Sequence, residues 1–318
     1  MKVGPTCLVV NLNLREVGER THCARIRVSW PDGLLTTGLY SSPIEYKNCT
    51  LTDPESLMIS TWLSATARPA AAIRCAVTDV VELGPPTTAV KEWLGERLRT
   101  ERVHPQLVED LCDGLGWQQA FDTIKGAMPS VMSVRKGVVG ELLATDCAIS
   151  FDGCQVPVKK LRSMIVPGES LHGTDVLAFR LDAAGEIEKA YYVESKLRLF
   201  CDRAAAVEAE KQLHRDMAKH VPDILLFVAN QMYTANTPLV PALRRYMRTR
   251  TGSRQLDEFR ISLTFERSVW SEDVLTRLVE ADELLAPLSV WGLTIDNLDP
   301  LIAALYEELG FEIDPDDD

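Results

Sequence analysis

Three segments decide how this chain is read: TDVLAFRL (174–181), DAAGEIEK (182–189) and AYYVESKLRL (190–199). The first and last are rich in apolar and β-forming residues. Asp182, Ala183, Ala184 and Gly185 form a turn signal between them, the glycine being free to take positive φ. Two such runs around a short glycine-containing loop predict a β-hairpin. A turn centred between Ala184 and Gly185 sets Asp175 opposite Glu194. Alternate residues share a strand face, so Lys196 joins Glu194 there. Two carboxylates and an ammonium group then meet at the open end of the hairpin. A one-residue slip of register would scatter them.

Upstream, Val138, Glu141, Leu142 and Thr145 are spaced to share one face of a helix. Glu141 thus stands among apolar neighbours, where a carboxylate needs a partner or a metal. The set suits metal-assisted phosphodiester hydrolysis. Mg²⁺ takes oxygen ligands, usually one or two carboxylates with phosphate and water, and Mn²⁺ is expected to substitute. Glu141, Asp175 and Glu194 are the candidate metal ligands. Lys196 completes the candidate catalytic set as an ammonium that orients water or stabilises charge on the phosphate. His172, three residues before Asp175, is a supporting candidate that orients this carboxylate or contacts a phosphate. Glu-x-Lys at the end of a strand is commonly a solvated edge or a plain ion pair. The Gly140-Glu141 helix upstream and the long helix that follows favour a site.

Asp175, Glu194-Ser195-Lys196 and the upstream Glu141 resemble the PD-(D/E)XK nuclease superfamily over roughly residues 135 to 230. Thr174 stands where that superfamily often has proline. More narrowly, the combination Gly-Glu (140–141), His-Gly-x-Asp (172–175) and Glu-Ser-Lys (194–196) is similar to the nuclease subunit of the Hachiman antiphage defence system. The resemblance implies an α/β fold with a restriction-endonuclease-like core, a mixed central sheet flanked by helices. It also implies a Mg²⁺-dependent DNA endonuclease of bacterial antiphage defence, with a helicase or translocase partner. A non-catalytic nucleic-acid-binding or scaffolding subunit with the same fold is the rival reading.

Working outward, residues 1–130 are expected to form an N-terminal α+β region of unknown role. Cys7 to Leu14 reads as a strand, and two further strands flank the turn signal Pro31-Asp32-Gly33. A helix is expected from Asp53 to just before Pro69, with Asp53 as its cap. Periodicity leaves 70–83 open between strand and helix. Short helices follow over 87–127, and a break at 127–130 marks a junction. The nuclease-like core is assigned to 131–255. After the hairpin, a helix is expected from about Asp202 to His220, ended by Pro222. Ile224 to Ala229 reads as a short buried strand. Residues 256–318 form an acidic region that continues the core or docks a partner.

Charge is divided along the chain. Residues 196–254 carry eleven Lys/Arg against five Asp/Glu, and 255–318 carry three against seventeen. Lys211, Arg215, Lys219, Arg244, Arg245 and Arg248 are the candidate DNA-binding cations, since Lys/Arg on phosphates supply much nonspecific affinity. The chain as a whole is net −12, which repels DNA at long range. A partner is therefore expected to add positive surface, and ATP-driven work falls to that partner because no GxxxxGK[ST] motif is present. Eight cysteines show no metal-ligand spacing and suit a reducing compartment. No apolar run reaches the ~20 residues of a membrane span. The first residues carry no export pattern, so a cytoplasmic protein with no membrane partner is expected.

Overall fold

The computed structural model describes residues 11–14, 23–29, 35–41, 57–69, 75–163, 173–219, 221–235, 239–250, 255–279 and 284–309. The chain divides into two compact units, Met1–Asp53 and Pro54–Asp318. In the first, β1 (Asn11–Leu14), β2 (Cys23–Ser29) and β3 (Leu35–Ser41) form an antiparallel sheet in sequence order. Ser29 pairs with Leu35, as a hairpin turn over Pro31-Asp32-Gly33 requires; the turn itself lies outside the described residues.

The second unit is built on a six-stranded mixed sheet. Its strands are β4 (Leu63–Ala67), β5 (Ala76–Glu82), β6 (Val176–Leu181), β7 (Ile187–Arg198), β8 (Asp257–Glu266) and β9 (Leu288–Ile295), in the order β4-β5-β9-β8-β7-β6. The inner four run parallel, and β4 and β6 pair antiparallel at the two edges. The acidic 256–318 segment therefore supplies two central strands.

Helices cover both faces. On one lie α1 (Leu57–Trp62), α2 (Thr88–Arg102), α5 (Met132–Asp152) and α10 (Leu298–Glu308), packed on Tyr191, Val193, Leu197, Trp291, Leu293 and Ile295. On the other lie α6 (Ala205–Lys219), α7 (Val221–Ala235), α8 (Val240–Arg250) and α9 (Asp273–Val279), packed on Ala190, Tyr192, Ile261, Leu263 and Phe265. The parity is the cause: from Ala190 onward, odd residues of β7 feed one core and even residues face the other side. Burial on both faces explains why the inner strands read as continuous apolar runs. The helices α3 (Pro105–Leu115) and α4 (Trp117–Ala127) pack on each other. His104 caps α3, its Nδ1 accepting from the Gln106 N–H at 3.1 Å.

Two expectations are corrected. The helix expected to run almost to Pro69 stops at Trp62, and Leu63–Ala67 is β4, paired with β5. Neighbouring strand edges outweigh local propensity there. The stretch 224–229 is not a strand but the middle of α7. A short apolar run fits a buried helix as well as a strand, and Pro222 occupies the first turn of α7, where its missing N–H costs nothing.

Candidate active site

The hairpin positions the site. Val176 pairs with Val193, Leu177 with Tyr192 and Phe179 with Ala190, which is the register that sets Asp175 across from Glu194. The turn is held by Asp182, whose Oδ1 accepts from the N–H groups of Ala184 and Glu186 at 2.8 and 2.9 Å, and by Gly185 at φ +77°. One irregularity, between Arg180 and Leu181, lies at the turn end and leaves the open end in register. There the Ser195 N–H donates to Asp175 Oδ2 at 2.8 Å, and Lys196 Nζ donates to Glu194 Oε1 at 2.7 Å.

Glu141 arrives from the opposite sheet face on α5. The helix can approach because Gly140 has no side chain. A Cβ there would lie 3.0 Å from Ser195 Oγ and 3.2 Å from Leu197 Cβ. Glu141, Asp175, Glu194 and Lys196 all line one open cleft of about 920 Å³. The four catalytic candidates are thus brought together, while His172 lies outside the described residues.

The electrostatics are those of crowded anions. Burial, and then the neighbouring charge of Asp175, push the Glu194 carboxyl up to about 8 against the opposing pull of Lys196. Burial likewise holds Glu141 well above the usual carboxylate range, reinforced by Asp175 and Glu194 and relieved by Lys160 and Arg102. Glu194 Oε2 is buried without a hydrogen-bond partner. Leaving such an oxygen unsatisfied costs about 1–3 kcal/mol or more, and a bound cation would remove that cost. Among the described residues, no three His, Cys, Asp or Glu side chains are gathered as a ready-made metal cage. The donor set suits an open site instead, with Asp175 and Glu194 offering oxygens and the remaining positions left to water and phosphate.

The cationic candidates separate into two groups. Lys211 and Arg215 are exposed on α6, and Arg215 bonds Gln212, which lines the cleft. Lys219 ends the same helix, its side chain outside the described ones. Arg244, Arg245 and Arg248 are exposed on α8. That helix packs at the other end of the hairpin, since Arg245 pairs with Glu186 beside the turn. Eight residues of strand separate Glu186 from Glu194, roughly 26 Å at ~3.3 Å per residue.

Four residues of the site lie beyond the sequence reading. Lys136, Arg198 and Phe200 line the cleft, and Lys160 Nζ donates to the Gly173 carbonyl at 3.0 Å and stands 3.5 Å from Asp175 Oδ1. Arg198 continues the alternation of Glu194 and Lys196 and is readable from it. Lys160 leaves no such signal, because it stands fifteen positions before Asp175 in the sequence, outside any helical or strand spacing that would link the two.

This mixed sheet, flanked by helices and carrying carboxylates at the open end of a hairpin, is consistent with an α/β nuclease-like core. The HamA family model matches residues 91–309, and the chain belongs to that family. The match spans α5, the hairpin, both parallel strands that follow and all of α10. No curated protein matches the chain significantly. Membership of the HamA family marks an antiphage defence protein. Among the described residues no helix is long and apolar enough to cross a membrane.

Proposed function

We propose that the chain is the metal-dependent DNA endonuclease of a Hachiman-type defence system, acting in the cytoplasm with an ATP-dependent helicase or translocase. The observation that carries this reading is Glu194. One of its oxygens is bound to Lys196 and the other is buried and unpartnered, beside Asp175 in an open cleft. Asp175 and Glu194 would hold Mg²⁺ or Mn²⁺, with Glu141 behind them. When bound, such a cation polarises the phosphoryl group and lowers the pKa of an attached water.

The chain's own residues supply the rest. Lys196 orients the attacking water and stabilises charge on the phosphate. The Ser195 N–H fixes Asp175 so that its carboxylate is presented at a set angle. Lys136 and Arg198 offer phosphate contacts at the cleft wall. Lys211, Arg215 and Lys219 continue the path along α6. The α8 arginines suit a more distant part of the same duplex, about eight base pairs away at 3.4 Å per pair. The net charge of −12 leaves the helicase partner to draw DNA in.

The test is cleavage of linear and supercoiled DNA by the purified chain, alone and with its helicase partner, in Mg²⁺, Mn²⁺ and EDTA. Cutting that requires the divalent cation and is abolished by Asp175→Asn supports the reading. Binding without cutting under every condition returns the chain to the scaffolding alternative.

A further inference from the structure

We propose that Lys160 is a fixed cation of the catalytic centre, seated by α2, that takes the place of a second metal ion and limits the cleft to one divalent cation. The inference rests on the reading of the cleft as a metal-dependent site.

The seat is built with more contacts than a solvated lysine needs. Arg97 on α2 reaches Asp146 on α5 at 2.6 Å and Glu101 at 3.0 Å. Glu101 is buried and also binds Lys159. Three residues further on, Arg162 Nε donates to the Thr100 carbonyl at 2.6 Å. The short 3-10 turn Lys160–Ser163 is therefore clamped to α2 on both sides of Lys160. Buried charges of this kind cost solvation free energy that only good geometry offsets. What the clamp gains is placement. Lys160, with its side chain 14% exposed, is directed at Gly173 and Asp175.

Acceptor sites set the limit of one ion. Asp175 Oδ2 accepts from Ser195, Oδ1 faces Lys160, and Glu194 Oε1 accepts from Lys196. The buried Glu194 Oε2, the Glu141 carboxylate behind it and the remaining lone pairs of Asp175 are left. One divalent cation uses these without displacing a lysine. A second would have to take the Asp175 edge that Lys160 holds. It would also set two dications and two ammonium groups against the three carboxylates Glu141, Asp175 and Glu194.

Mn²⁺ uptake by the full chain without DNA, followed by calorimetry and by the electron paramagnetic resonance of free Mn²⁺, tests this. Wild type should take one ion. Lys160→Met should bind it about ten-fold tighter or more, because a unit charge a few ångströms away opposes the cation, or should accept a second. Lys160→Gln keeps a donor for the Gly173 carbonyl without the charge and should behave alike if the methionine variant folds poorly. Glu101→Gln, which loosens the seat, should shift affinity the same way by a smaller factor. Two ions on wild type, or lysine variants unchanged in both stoichiometry and affinity, overturn the inference. A wild type that takes up no ion overturns the metal reading itself, and this inference with it.

Discussion

The backbone N–H of Ser195 on β7 donates to the carboxylate of Asp175, just before the edge strand β6, at 2.8 Å. A residue placed by one strand is thereby fixed by the backbone of the next, in the middle of the Glu194-Ser195-Lys196 triplet. Asp175→Asn keeps an acceptor for that N–H and removes the charge. It should fold, with stability changed by less than ~1 kcal/mol, and lose both cleavage and most cation affinity. Asp175→Ala should cost a further ~1 kcal/mol, the usual worth of a lost hydrogen bond. Urea melts read beside Mn²⁺ titrations separate the two effects.

Gly140 makes the second prediction. A methyl group there meets Ser195 Oγ at 3.0 Å and Leu197 Cβ at 3.2 Å, so β7 must give by a few tenths of an ångström at these side chains or α5 must shift, with Glu141, by as much. Gly140→Ala should destabilise by ~1–3 kcal/mol, as overpacked cores do. Ser195→Ala removes a buried hydroxyl that lacks a partner and should leave cleavage nearly intact. The double variant should recover only part of the loss, because Leu197 remains in the way. A double-mutant cycle reads the coupling directly; strict additivity would mean that the helix does not rest on Ser195.

Glu194 gives a pH dependence with a definite sign. Its carboxyl sits at about 8 in the folded, cation-free chain, above its ordinary value, so between these two values the folded state binds more protons than the unfolded state. Stability should therefore fall as pH rises through that window. Cation binding must expel the proton, so Mn²⁺ affinity should rise over the same range and level off above about 8. Glu194→Gln should flatten the Glu194 part of the stability slope. Thermal melts from pH 5 to 9, with and without Mn²⁺, measure both trends, and an apo stability that rises through this window contradicts the assignment.

The sequence made some of this legible and hid the rest, for physical reasons. The hairpin is readable because a glycine turn and strand alternation fix the register locally, and that register brings Asp175, Glu194 and Lys196 together. Glu141 is readable from helical spacing. The Leu63–Ala67 strand and the 224–229 helix are not, since each short run fits either conformation until its tertiary neighbours decide. Proximity of Arg244 to Arg248 along the chain said nothing of place: α8 folds back to the turn of the hairpin, roughly 26 Å from Glu194 along β7. Lys160 depends on a clamp from α2, whose members Arg97, Glu101, Asp146 and Lys159 are dispersed over three stretches, α2, α5 and the segment just before Lys160.

The role of Lys196 tests the central claim most directly. DNA cleavage and Mn²⁺ binding should be measured side by side on wild type, Glu194→Ala and Lys196→Ala, with the proposed helicase partner present. The account predicts that Glu194→Ala loses both, while Lys196→Ala loses cleavage by ~10²-fold or more and keeps Mn²⁺ binding intact or slightly tighter. Cleavage by both variants at the wild-type rate would contradict it.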